Sequence, residues 1–133
     1  MLLKLMNIKY ITGIVARGLG EGTYFMSMRH YQKEIKKKLG FDAYPGTLNL
    51  KVNKNQSDSF KKIKPIKIKG FKKNNKIFGG ANCYKAKIKN IYGSIIVPDI
   101  NKNKKDIIEF IAPVHVKSEL KLKDGDKIKI ELL

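Results

Sequence analysis

Turn signals cut this chain so often that few architectures fit it. Gly40, Pro45-Gly46, Asn74-Asn75, Gly79-Gly80, Asn90, Pro98, Pro113 and Asp124-Gly125 punctuate the sequence. Between them lie short segments whose apolar residues tend to alternate, the period of a strand rather than a helix. One segment differs. In residues 30–40, HYQKEIKKKLG, Tyr31, Ile35 and Leu39 fall four apart and Gly40 is a natural helix C-cap. Six or more strands with one inserted helix and short helical turns predict a small, mainly β barrel, not a βαβ sheet. With 133 residues, one domain over 1–133 is expected. The length excludes a TIM barrel or a two-half dinucleotide fold.

Residues 8–16 read as a strand with Ile8 and Ile14 on the apolar face, and 24–28 as a short returning strand. Pro45-Gly46 reads as a type II turn with Gly46 at positive φ. Thr47–Val52 then alternate, with Leu48, Leu50 and Val52 on one face and Thr47, Asn49 and Lys51 on the other. Residues 53–62 read as a polar connection. Strand-like stretches follow at 63–71, at 77–89 with a bulge at Gly79-Gly80, and at 91–98 and 107–113; residues 122–132 turn at Asp124-Gly125 and then alternate Ile128, Ile130 and Leu132. A hairpin turn is expected at Asn74-Asn75, and one helical turn within 114–120.

The chain carries 29 Lys and Arg against 11 Asp and Glu, a formal net charge of +18. Such a field favours anionic partners: nucleotides, phosphates or nucleic acid. Only Arg17 and Arg29 are arginines, and lysine lacks the planar fork that reads base edges. With aromatics scarce as well, specific nucleic-acid recognition is not expected. A general surface bias explains the same lysines. The single cysteine, Cys83, can neither close an internal disulfide nor hold a structural zinc alone. No apolar run approaches the length of a membrane helix, and a cytoplasmic protein is expected.

Three places concentrate chemistry. Gly18-Leu19-Gly20-Glu21-Gly22-Thr23 follows a strand directly, and alternate glycines let backbone N–H groups approach a phosphate. No helix is expected to open there, and the segment matches neither the dinucleotide fingerprint nor the P-loop. A tight hairpin connection explains the same glycines. Thr47 and Asn49 share a strand face and offer hard oxygen atoms suited to Mg²⁺, though polar-face residues are common. Glu109 stands among isoleucines, where a carboxylate is costly to bury without a partner. It reads either as an exposed edge residue or as an acceptor for ligand hydroxyl or ring N–H groups. Val114-His115-Val116-Lys117 follows in a loop. His30 and His115 are the only histidines and read as structural or surface residues.

The blocks G-L-G-E-G at 18–22, F-x-x-Y-P-G-T-L-N-L at 41–50, I-I-E-F-I-A-P at 107–113 and L-K-D-G-D at 122–126 together resemble the archaeal CTP-dependent riboflavin kinases, over about residues 11–131. The resemblance implies a six-stranded cradle-loop barrel that transfers the γ-phosphoryl of CTP to riboflavin, giving CDP and FMN. It further implies nucleotide binding by Gly18, Leu19, Gly20, Glu21, Gly22, Thr23, Val114, His115, Val116 and Lys117. Thr47 and Asn49 would hold Mg²⁺, and Asn101 and Glu109 would contact the flavin. Family members often carry threonine at the place of Asn101 and arginine at that of Lys117. Glu109 and Glu21 are the carboxylates to test as a base. A monomer acting on small molecules follows, with no membrane partner. The rival reading is a basic nucleic-acid-binding or regulatory barrel without catalysis, since fold does not fix activity.

Overall fold

The computed structural model describes residues 9–18, 21–99 and 106–133, without the side chains of Glu21 and Lys61. The elements, in chain order, are β1 (Tyr10–Ala16), α1 (Glu21–Met26), α2 (Arg29–Leu39), β2 (Leu48–Lys51) and α3 (Lys54–Ser59). A 3₁₀ turn (Phe60–Lys62) leads to β3 (Ile66–Ile68), β4 (Phe71–Lys73), β5 (Lys76–Phe78), β6 (Ala81–Ile88) and β7 (Ile91–Pro98). The chain ends with β8 (Ile107–Ile111), α4 (Val116–Glu119) and β9 (Lys127–Leu132).

Six antiparallel strands close a barrel in the order β6-β7-β8-β2-β1-β9, with β9 returning to β6. β3 adds an outer strand on β6, and β4–β5 form a separate hairpin. The barrel interior is filled by Ile11, Val15, Leu50, Ile95, Phe110 and Ile130, all almost fully buried. A second apolar layer lies outside the barrel. There α2 lays Tyr31 and Ile35 over Cys83, Ile68 and Ile111. Gly40, at φ 86°, caps α2 and donates its N–H to Ile35 and Lys36 carbonyls. Among the described residues no helix is long and apolar enough to cross a membrane.

The mainly β barrel, the helix at 30–40, the alternation of Leu48, Leu50 and Val52, and the helical turn at 116–119 all stand as the sequence reads. Asn74 and Asn75 both adopt positive φ in the β4–β5 turn, as a tight hairpin requires. Five readings change. In β1 the interior takes Ile11 and Val15, and Ile14 faces outward, 44% exposed; two alternating apolar sets compete there and barrel closure selects one. Residues 24–26 lie in α1 and residues 27–28 form the bend into α2, so no strand returns here. One buried side chain, Met26, anchors α1 while Tyr24 and Phe25 stay exposed.

Residues 53–62 are helical, not a plain connection. Asn53 caps α3 by accepting the Gln56 N–H at 2.9 Å, and Phe60 is buried against Tyr84. Gly46 does not take positive φ; its N–H closes a three-residue turn on the Tyr44 carbonyl at 2.8 Å. The stretches at 63–71 and 77–89 are each divided. β3 is separated from β4, and Gly79-Gly80 separates β5 from β6 instead of bulging one strand.

Candidate active site

One register row organises the outer surface of the barrel. Ala16 at the end of β1 pairs with Asn49 of β2, and Asn49 pairs with Glu109 of β8. Side chains in one row point to one face of a sheet. Leu48, Leu50, Ile108 and Phe110 take the interior, so Asn49 and Glu109 necessarily face out. Thr47 lies on the same side and donates its hydroxyl to Glu109 Oε1 at 2.9 Å. Asn49 Nδ2 makes a longer contact of 3.5 Å with the Thr47 carbonyl. Glu109 is half-buried on a strand flanked by β2 and β7, so it is not an edge residue.

The glycines of the first block meet this row. A Cβ on Gly18 would collide with the Asn49 amide, and one on Gly22 would collide with the Thr47 hydroxyl. These positions need glycine for close approach of the backbone to polar side chains. Contrary to the sequence reading, a helix does open in this block: α1 begins at Glu21 and includes Gly22 and Thr23. Leu19, Gly20, Asn101 and the side chain of Glu21 lie outside the described residues.

A cleft of about 190 Å³ opens at this end of the barrel. Gly18, Thr47, Asn49 and the segment 114–117 line it. Arg17 and Tyr44 line it as well, and the sequence reading missed both as site residues. The signal for Tyr44 was its place directly before Pro45-Gly46; nothing local marked Arg17 beyond its charge. The Tyr44 and His115 rings face each other across the rim, 4.8 Å between centroids and tilted by 31°. The His115 ring also hydrogen-bonds the Ser118 hydroxyl.

The turn at 123–126 ties the rim together. Gly125 N–H donates to the Val15 carbonyl and Val15 N–H to the Asp126 carbonyl, both at 2.8 Å. Lys117 Nζ reaches Asp124 Oδ1 at 2.6 Å. The hydrogen bond from Lys117, with the charges of Lys117 and Arg17, holds the Asp124 carboxyl below its usual range. Two cleft-lining cations therefore share one exposed acid. His30 stands apart from the cleft, its Nε2 2.9 Å from the Lys69 carbonyl and its ring on Phe71. Cys83 is fully buried, and burial pushes its thiol up to about 12, far from reactivity.

The family model CTP-dep_RFKase, described as domain of unknown function DUF120, matches residues 15–132. The chain belongs to this family. Riboflavin kinase of Pyrococcus furiosus is 44% identical over 125 residues, covering 92% of this chain and 58% of the relative. That of Methanosarcina acetivorans is 40% identical over 125 residues, covering 92% and 53%. That of Archaeoglobus fulgidus is 38% identical over 126 residues, covering 92% and 54%. The chain thus spans about half the length of the curated relatives it matches.

Among the described residues no group of three or more His, Cys, Asp or Glu side chains forms a metal cage. The donors that do converge are hard and oxygen-based: the Thr47 hydroxyl and the Glu109 carboxylate, with Asn49 in the same row. That set suits Mg²⁺, which takes few protein ligands and keeps water and phosphate oxygens in its shell.

Proposed function

We propose that this chain transfers the γ-phosphoryl group of CTP to the 5′-hydroxyl of riboflavin, giving CDP and FMN. The observation that carries this reading is the single cleft. Gly18, the Thr47–Asn49 strand face and residues 114–117 are far apart in sequence but line one volume, with Glu109 bonded to Thr47 beside it. Family membership and relatives named riboflavin kinase support the same reading.

Phosphoryl transfer asks a protein mainly for positioning and for neutralisation of charge. Backbone N–H groups of the 18–23 block, with Arg17 and Lys117 at the rim, hold the triphosphate. The exposed ring of Tyr44, backed by His115, offers the cytosine an aromatic face. Thr47 and Asn49 would hold Mg²⁺, which when bound offsets phosphate charge. Glu109, with Asn101, orients the flavin. The half-buried Ile107, two residues from Glu109 on the same face of β8, provides apolar wall. Ile111 does not, because it is fully buried beneath α2.

In the reaction the acceptor oxygen bonds the γ-phosphorus as the bond to the bridging oxygen of CDP breaks. The hydroxyl proton leaves to Glu109 or to water; a loose transition state does not require a strong base. The chain works as a cytoplasmic monomer on these small molecules. The test is FMN formation from riboflavin with CTP and, separately, with ATP, each with Mg²⁺. FMN with CTP is expected, and no turnover across pH and Mg²⁺ concentration would overturn the reading.

A further inference from the structure

The charge is not evenly spread along the chain. Between Asp58 and Asp99 there is no Asp or Glu, yet this stretch holds eleven lysines, +11 of the net +18. A composition rich in lysine raises the count everywhere; it does not by itself empty one stretch of acids. The fold then gathers much of this stretch beside the most basic helix. β3 packs on α2, and Lys38 Nζ donates to the Lys67 carbonyl at 2.8 Å. The Lys69 N–H donates to Glu34 at 3.0 Å, and Phe71 stacks on His30. α2, β3 and the β4–β5 hairpin therefore pack together as one ridge, none of whose residues lines the cleft, with Lys67 on the face of β3 opposite the Ile66 and Ile68 that α2 covers.

The acids on this ridge are few. Glu34 pairs with Lys38 and Asp42 with Lys36. Lys33, Lys37, Lys67, Lys69, Lys72 and Lys73 point charge into solvent. The rings are occupied with one another: Phe71 lies 4.7 Å from Phe78, nearly parallel, and 4.3 Å from His30. Phe71, between those two rings, offers no face to an unstacked base, which single-strand binders need. A cluster of exposed lysine point charges, with Arg29 the one guanidinium on α2, fits the phosphates of a backbone read without sequence.

We propose that the α2–β3–hairpin ridge is a second binding surface, for the phosphate backbone of a nucleic-acid duplex, separate from the nucleotide cleft. The test measures anisotropy of a labelled 20-base-pair RNA duplex and its DNA counterpart with the full chain, from about 50 to 200 mM salt. Two variants remove the same charge: K67Q/K69Q/K72Q/K73Q on the ridge, and K9Q/K89Q/K127Q/K129Q elsewhere. The ridge variant is expected to bind about tenfold more weakly or worse, with a salt slope smaller by about 3. The other variant should stay within about twofold, and FMN formation by the ridge variant should be unchanged. RNA and DNA arms that differ only modestly would fit backbone recognition. Equal losses in both variants would mean diffuse charge and overturn the proposal, as would absent duplex binding or tighter binding to anionic vesicles. If the fourfold variant fails to fold, K72Q/K73Q is expected to lose about threefold, and no loss there overturns the proposal.

Discussion

A single row of paired residues, Ala16–Asn49–Glu109–Ile96–Cys83–Ile66, crosses the outer surface of the sheet. Its two ends have opposite fates. At the Ile96–Cys83–Ile66 end the residues are apolar and α2 covers them, with Ile35 and Tyr31 buried against this layer. At the Asn49–Glu109 end they are polar, half-buried and left beside an open cleft. The strands themselves are alike; only the outward-facing side chains change. Glu109 and Ile111 sit two residues apart on one face of β8 and mark the border. The lesson is that a closed barrel needs only its interior to be apolar. Its outer face is free to divide into a part that recruits a helix and a part left open beside a cleft.

That division can be attacked from either side. Ile35→Ala at the covered end should cost about 2–5 kcal/mol of stability, read by denaturant unfolding, with kcat/KM of the folded protein almost unchanged. Asn49→Ala at the open end should do the reverse: about 100-fold lower kcat/KM, a loss typical of a group that stabilises transition-state charge. Its dependence on Mg²⁺ should shift, while unfolding free energy moves by less than about 1 kcal/mol. Equal effects of both variants on stability and turnover would erase the distinction. Tyr44→Leu should be milder, raising the KM for CTP several-fold with little change in kcat.

An effect confined to alkaline pH belongs to Cys83, under the covered end. Its folded thiol is raised from 9.0 to about 12, chiefly by burial, while Ser94 hydrogen bonding acts the other way. The unfolded thiol ionises first, so the folded state loses stability as pH rises from about 9 toward 12. Below that window the group contributes no pH dependence. Cys83→Ala should remove this slope, measured as the difference between the two unfolding profiles against pH.

Much of the interior was legible because strand alternation reports it directly. Leu48, Leu50 and Val52, and Ile128, Ile130 and Leu132, face inward as their spacing requires. The second layer was harder to see. Ile111 and Cys83 belong to a layer whose partner, α2, lies far away in sequence, and alternation cannot say that an outer face will be covered. For the same reason β1 offered two apolar faces, and only closure against β2 and β9 chose between them. The helix α3 hid in a polar stretch, although Asn53 with Gln56 three residues on is a capping pattern. In the cleft, the glycine block and Thr47-Asn49 carried their own signals. Tyr44 and Arg17 matter through spatial neighbours, His115 and Asp124, that no local pattern connects to them.

The seam that shuts the barrel has a consequence for how the molecule comes into being. β1 rests on β9, with Tyr10 opposite Glu131, and β9 meets β6 through only two register pairs, Ala86 with Leu132 and Lys87 with Glu131. Among the described strands, β1 thus waits for β9, far along the chain, before it has both neighbours. Such distant pairing slows folding, because loop closure precedes any reward from contact. Since Ala16 and Gly18 hang from the end of β1 and line the cleft, the cleft should be among the last parts to mature. A nascent chain would then carry a formed hairpin of β6 and β7 well before its cleft was complete.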